Sequence, residues 1–168
     1  SKAFEAKDTQ KIVQLSAELG HYIADANVPL HTTENYDGQM TGQVGIHAFW
    51  ESRLVELYLD SFDLLTPKAH YIENINKKTW SIIERSNANL PLVLAAEKEA
   101  KKIVPADQQF VYEARGGTEQ KLQSPLFSRV YYHQLNGMVE QQMKYSIEDV
   151  ASYWYTAWVN AGQPDLDF

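Results

Sequence analysis

Two histidine–carboxylate pairs and a third histidine are the residues of this sequence whose types and spacing suit metal binding. His21 and Asp25 are four residues apart, His47 and Glu51 have the same spacing, and His31 lies between the pairs. On a helix, this spacing places both side chains of a pair on one face, about one turn apart. An imidazole nitrogen and a carboxylate oxygen can then each reach a common zinc ion at ~2.0–2.2 Å. One such pair is common by chance, but two pairs and a third histidine favour a metal site.

His31 could complete a set of three zinc ligands with His47 and Glu51. A catalytic zinc site has three protein ligands and leaves its fourth position to water, whereas a structural site fills all four positions with protein. Glu34, Asp37 or the pair at positions 21 and 25 could supply a fourth ligand. The residues alone therefore leave open both a catalytic and a structural zinc site.

The first pair is predicted to lie on a helix that begins near Thr9. Thr9 is a candidate N-cap, and the apolar residues after it recur at the spacing of one helical face. Pro29 disfavours helical geometry in the residue before it, so this helix should end near Ala26 or Asn27. His31 is then expected just beyond the end of the helix.

The rest of the chain is also predicted to be helical, apart from two loop-rich stretches. Residues 32–45 contain three glycines and little periodicity, which predicts a loop long enough to have a function. Residues 105–125 are predicted to be the second loop-rich stretch. Helical patterns occupy residues 46–59, 75–103, with a kink or a division at Pro91, and 126–160. The sequence therefore predicts an all-α protein with a single domain over residues 1–168.

Charge and composition restrict the function. The formal net charge is −7, and the sequence shows no basic face of the kind that binds duplex nucleic acid. A site that handles phosphate would therefore need its positive charge from metal ions. The absence of cysteine excludes thiolate zinc sites and thiol nucleophiles. The longest apolar run, Leu90 to Ala96, is far shorter than the ~20 residues that span a bilayer, so no transmembrane segment is predicted.

The segment 20–51 resembles the zinc-dependent phospholipase C and single-strand nuclease superfamily. The signature of that superfamily is H-x-x-x-D-x-x-x-x-x-H followed, after a loop, by H-x-x-W-D/E. The residues that match it are His21, Asp25, His31, His47, Trp50 and Glu51. Pro29, two residues before His31, is also a feature of the family. The C-terminal stretch SYWYTAWVNAGQPDL resembles bacterial members described as phospholipase C-like, so the resemblance extends over most of the chain.

This resemblance implies a multi-helical fold with up to three zinc ions in a cleft. His31, His47 and Glu51 would hold one zinc ion, which is the one complete site in this chain. His21 and Asp25 would contribute to a second, with Asp25 also bridging to the third, and Asp25 and Glu51 would be the catalytic residues. The family completes the second and third sites with residues nearer the N-terminus that have no counterpart here. We therefore expect the fold to be incomplete at its N-terminus, the chain to be the C-terminal part of a longer protein, and hydrolysis by it alone to be weak or absent.

The implied function is that of a phospholipase C-like, zinc-dependent phosphoesterase, which hydrolyses a phosphodiester with a metal-activated water. The substrate would be a phospholipid, a nucleic acid or a nucleotide, and the resemblance implies a secreted or periplasmic location. The alternatives are a single-strand nuclease or nucleotidase of the same superfamily and a non-catalytic helical domain with a structural zinc. Because the family has upstream helices over the cleft, the expected partners include that N-terminal segment. We also expect self-association through an exposed stripe that contains Phe4, Ile12 and Leu19.

Overall fold

The computed structural model describes residues 1–166, most of which are helical. The helices are α1 (Lys2–Glu5), α2 (Thr9–Ala26), α3 (Ile46–Ala48), α4 (Leu54–Tyr58), α5 (Ile75–Asn87), α6 (Leu90–Ile103), α7 (Pro125–Gln134) and α8 (Met138–Val159). A π-helix, Phe49–Arg53, joins α3 to α4. Short 3₁₀ turns occupy Pro29–Thr32, Leu59–Ser61 and Ala106–Gln108. The remaining regular elements are the strands β1 (Phe110–Arg115) and β2 (Thr118–Gln123).

The two strands show that the all-α prediction is wrong. They pair antiparallel, with Phe110 opposite Gln123 and Arg115 opposite Thr118. Gly116 and Gly117, whose φ angles are 57° and 82°, form the two-residue turn between them. Tight hairpin turns of this kind need positive φ at both positions, which glycine adopts without strain. In residues 105–125 the glycines mark a hairpin turn within the stretch predicted to be a loop, and the fold is mainly helical with one small sheet in the described residues.

The starts and ends of the helices follow the prediction more closely than the interruptions do. Helix α2 ends at Ala26 as predicted, but its N-cap is Asp8, whose carboxylate accepts a hydrogen bond from the backbone N–H of Lys11 at 3.0 Å. The pattern at 75–103 divides into α5 and α6, with Pro91 in the first turn of α6. The single helix predicted at 126–160 is instead two helices, α7 and α8, separated by a break before Gly137.

The larger core cluster packs beneath the π-helix. The Phe49 ring lies 4.6 Å from the Tyr131 ring and 5.1 Å from the Phe127 ring, measured between centroids. These three side chains are almost completely buried. Phe49 therefore anchors one side of the π-helix against α7, which fixes the orientation of the residues on its other sides.

A smaller cluster holds α2 against α5 and α8. Its buried members are Ile23, Ile72, Ile82 and Tyr153. Ile12, also on α2, is only 6 % exposed, which contradicts the expectation that it belongs to an exposed stripe. The exposed apolar side chains of this helix are Val13, Leu15 and Tyr22.

Within residues 1–166, no helix is both long enough and apolar enough to cross a bilayer.

Candidate metal centre

His31, His47 and Glu51 converge on one point of the surface. Their ligand atoms all lie within 4.8 Å of one another. Glu51 Oε2 lies 2.7 Å from His47 Nε2, a hydrogen bond that the imidazole donates, and 3.4 Å from His31 Nε2. The two imidazole rings are 4.7 Å apart and perpendicular. The structure thus brings together the three residues that the sequence predicts as one complete ligand set.

The end of α2 positions His31. The 3₁₀ turn Pro29–Thr32 begins two residues after Asn27, and Leu30 within it is completely buried. The side-chain amide of Asn87 donates to the carbonyl of Thr32 at 3.2 Å and to its hydroxyl at 3.0 Å. The turn is therefore tied both to the core and to the end of α5, and His31 projects from a fixed backbone.

His47 and Glu51 extend from a helix that is supported at its start and in its middle. Asp37 Oδ1 accepts hydrogen bonds from the backbone N–H groups of Gly45 at 3.1 Å and His47 at 3.4 Å. Glu51 lies within the π-helix, and π-helical turns occur frequently at functional sites. Arg53, 4 % exposed, ion-pairs with Glu113 of β1. The hairpin missed in the sequence thus helps to hold the segment that carries Glu51.

Hydrogen bonds give the long loop over residues 33–45 a fixed shape. The Asn35 side chain donates to the Thr41 hydroxyl at 3.0 Å and accepts from the backbone N–H of Met40 at 2.7 Å. The buried Gln43 side chain donates to Glu97 of α6 at 2.7 Å. The loop is therefore folded against α6, and this arrangement holds Asp37 under the start of the helix that carries His47.

Gly38 tests whether the fixed shape of this loop contributes to the stability of the fold. Its φ is 74°, and an added Cβ would lie 2.5 Å from the carbonyl oxygen of Gln43. Gly38→Ala is therefore expected to lower the free energy of unfolding by about 3 kcal/mol, since strain and a backbone clash add together. Gly42→Ala is the matched control, with a φ of 71° but open space around the new Cβ, and should cost only about 1 kcal/mol. Urea unfolding measures both free energies. Equal costs would show that the loop relieves the clash between the added Cβ and the Gln43 carbonyl without a further penalty.

The donor atoms are of types that bind zinc. Ligands at about 2.0–2.1 Å from a tetrahedral zinc lie about 3.3 Å from one another. The distance from His31 to Glu51 already has this value, whereas the 2.7 Å hydrogen bond from His47 to Glu51 must lengthen by about 0.6 Å. Rotation of these partly exposed side chains can provide this change, so the cluster could hold a metal ion.

Solvent reaches the cluster, and none of the described residues completes it with a fourth ligand. The side chains of His31, His47 and Glu51 are 35 %, 22 % and 38 % exposed. In the part of the chain that the structure describes, no further histidine or acid joins the group at this spacing. Asp37, which the sequence suggested as a fourth ligand, instead accepts the backbone hydrogen bonds of the helix start. This supporting role is one that residue type and spacing did not reveal.

His21 and Asp25 form a separate pair. His21 Nε2 lies 3.3 Å from Asp25 Oδ2, and the imidazole is 71 % exposed. This pair belongs to no three-ligand cluster within residues 1–166. Asp25 and Glu51 nevertheless line the same cavity of about 270 Å³. The structure therefore places one carboxylate of each predicted pair at a common cavity.

Comparisons with known proteins identify no relative of this chain. No protein-family model, no curated protein and no solved structure gives a significant match to this chain. The resemblance of segment 20–51 to the zinc phospholipase C and nuclease superfamily thus stays a prediction that depends on the motif residues.

Proposed function

We propose that this chain is a zinc-dependent phosphoesterase module in which His31, His47 and Glu51 hold the metal. The observation that supports the proposal is the convergence of two imidazoles and one carboxylate at a position that solvent reaches. When bound, zinc acts as a Lewis acid that polarises a phosphoryl oxygen and makes water a stronger nucleophile near neutral pH. A phosphodiester is the substrate class that this chemistry and the motif favour.

The charge of the ligand set suits an anionic substrate. Two neutral imidazoles and one carboxylate would leave a bound zinc ion with one net positive charge. The chain has a formal net charge of −7, and acidic residues predominate in the sequence between positions 34 and 63, which contains His47 and Glu51. The metal centre would therefore supply the local positive charge that orients a phosphodiester.

Asp25 is proposed as a proton acceptor at the edge of this site. Its carboxylate lines the cavity that Glu51 also lines, and its Oδ2 is 3.3 Å from the exposed imidazole of His21. A carboxylate in contact with an exposed imidazole can pass a proton to solvent. Asp25 and Glu51 thus have different roles, since Glu51 contributes to holding the metal.

The set of protein ligands is incomplete, and this favours a catalytic zinc site over a structural one. A structural zinc is enclosed by four protein ligands, whereas the described residues bring three to this cluster. The exposure of all three side chains leaves room for a substrate oxygen. A purely structural metal would need a fourth protein ligand, and the described residues do not place one at the cluster.

Hydrolysis of bis-p-nitrophenyl phosphate tests the proposal. We expect weak turnover that appears with added zinc, disappears with EDTA and falls about a hundredfold in Glu51→Gln, because the variant keeps the shape but loses an anionic ligand. Glu34→Gln is the matched control, an exposed acid in the adjoining loop that lies outside the cluster. Hydrolysis that EDTA does not change, or that is as fast in Glu51→Gln as in the parent, would contradict a catalytic zinc here.

A further inference from the structure

The turn between α7 and α8 contains the one Asn-Gly step of the sequence, Asn136-Gly137. Both residues are exposed, and both have positive φ angles, 49° and 77°. The flanking N–H groups are paired, since Asn136 donates to the carbonyl of His133 at 3.2 Å and Met138 to that of Leu135 at 3.1 Å. The N–H of Gly137 makes no hydrogen bond within residues 1–166. An exposed side-chain amide therefore lies next to a peptide nitrogen that no hydrogen bond protects.

An asparagine amide can react with the peptide nitrogen that follows it. The nitrogen attacks the amide carbon, a new C–N bond closes a five-membered imide, and the side-chain nitrogen leaves as ammonia with the proton of the peptide N–H. Water then breaks one of the two C–N bonds of the imide ring. Opening at the side-chain carbonyl gives aspartate, and opening at the backbone carbonyl gives isoaspartate, whose main chain runs through the β-carbon. Glycine at the second position favours the attack, because it has no Cβ and rotates freely.

The fold protects the comparable Asp37-Gly38 step from cyclisation. Gly38 is buried, and its N–H donates to the carbonyl of Asn35 at 3.1 Å. Asp37 Oδ1 accepts the backbone hydrogen bonds of Gly45 and His47. Local opening must break these bonds before an imide can form there, and the free energy of opening lowers the reactive population. The nitrogen at the second position of the other step has no such bond to break in the described chain.

We propose that Asn136 is a site of spontaneous deamidation in the folded protein, through an imide formed with the nitrogen of Gly137. The reaction consumes water and needs no metal, so its outcome is independent of the proposed phosphoesterase activity. It replaces a neutral amide with a carboxylate, which makes the net charge one unit more negative than the formal −7 of the unmodified chain. The exposed turn between α7 and α8 is thus a modification site of this protein.

The two products differ in their effect on the turn. Aspartate keeps the length of the main chain and tolerates a positive φ as asparagine does. Its carboxylate directly precedes Gly137, the N-cap of α8, where the helix dipole favours negative charge. Isoaspartate adds one carbon to the main chain between Leu135 and Met138, which are 1 % and 7 % exposed and belong to the larger core cluster. The longer link must displace one of these side chains or strain the turn, so this product is expected to be the less stable one.

Peptide mapping of the native protein after incubation in mildly alkaline buffer with EDTA tests the proposal. We expect residue 136 to gain about 1 Da, because OH replaces NH₂. It should react at least about tenfold faster than Asn160, which is followed by alanine instead of glycine. A native rate at Asn136 no faster than that at Asn160 would overturn the proposal.

The same incubation in guanidinium chloride separates the effect of the fold from that of the dipeptide. The native rate at Asn136 should lie within about tenfold of the unfolded rate, because no hydrogen bond has to open first. Isoaspartate at position 37 should form mainly in the unfolded chain. Deamidation of Asn136 that occurs in the unfolded chain and not in the native protein would overturn the proposal.

Variants of Asn136 test the consequence for stability. Asn136→Gln is the control for the chemistry, since its side chain would need a larger ring and should not react in the same period. Asn136→Asp reproduces one product and should melt at the temperature of the parent or above it. The isoaspartate form, separated by ion exchange, should melt at a lower temperature than Asn136→Asp. Equal melting temperatures would overturn the expected destabilisation by showing that the turn accommodates the additional carbon.

Discussion

Replacing His47 by alanine is expected to lower the affinity for zinc at least a hundredfold, which is about 2.7 kcal/mol. The change leaves His31 and Glu51 as the remaining ligands of the cluster, and it also removes the 2.7 Å hydrogen bond that orients the Glu51 carboxylate. The backbone N–H of residue 47 is retained, so Asp37 can still support the start of the helix. Titration of zinc against a chelator of known affinity, with circular dichroism to verify folding, measures the effect.

His21→Ala is the control for this experiment. His21 also pairs with an acid four residues away, but its imidazole is 71 % exposed and lies outside the three-residue cluster. We expect its zinc affinity to stay within about twofold of the parent, as for a distant surface change. If His21→Ala weakened zinc binding as much as His47→Ala, the assignment of the metal to His31, His47 and Glu51 would be wrong.

The local part of the candidate site could be predicted from the sequence because short-range rules determine it. The i, i+4 spacing of His47 and Glu51 places both on one helical face, and Pro29 fixes where α2 ends and therefore where His31 begins. The approach of His31 to the other two residues is a long-range property. It depends on hydrogen bonds such as that from Gln43 to Glu97, which no spacing rule in residues 32–45 identifies.

Two features were not predicted from the sequence. The π-helix depends on contacts between distant residues, and the hairpin lies in a stretch that was predicted to be a loop. The π-helix has Phe49 packed against α7 and Arg53 paired with Glu113, and these partners lie more than fifty residues further along the chain. The hairpin has a local signal in Gly116-Gly117, but the all-α prediction was based on the helical periodicity of the rest of the chain.

The stability of the helical framework should depend strongly on one buried acid, Asp149. Its two carboxylate oxygens contact Lys78 Nζ at 2.6 Å and Arg85 Nη2 at 2.7 Å, and its side chain is 2 % exposed. Arg85 also donates to the Asn27 side chain at 2.8 Å. This network joins α5 and α8 to the end of α2, immediately before the turn that carries His31.

Asp149→Ala is therefore expected to lower the free energy of unfolding by about 3 kcal/mol. Removing one member of a buried ion pair costs roughly 3–5 kcal/mol, because the opposite charges lose their partner, and the lower end applies where the cations are partly exposed. Lys78 and Arg85 are 22 % and 32 % exposed, so water can solvate them in part once the carboxylate is gone. Glu99→Ala, which removes an exposed ion pair with Lys102, is the control and should change stability by less than about 1 kcal/mol. Urea unfolding distinguishes the two, and a loss in Asp149→Ala as small as that in Glu99→Ala would mean that apolar packing alone joins these helices.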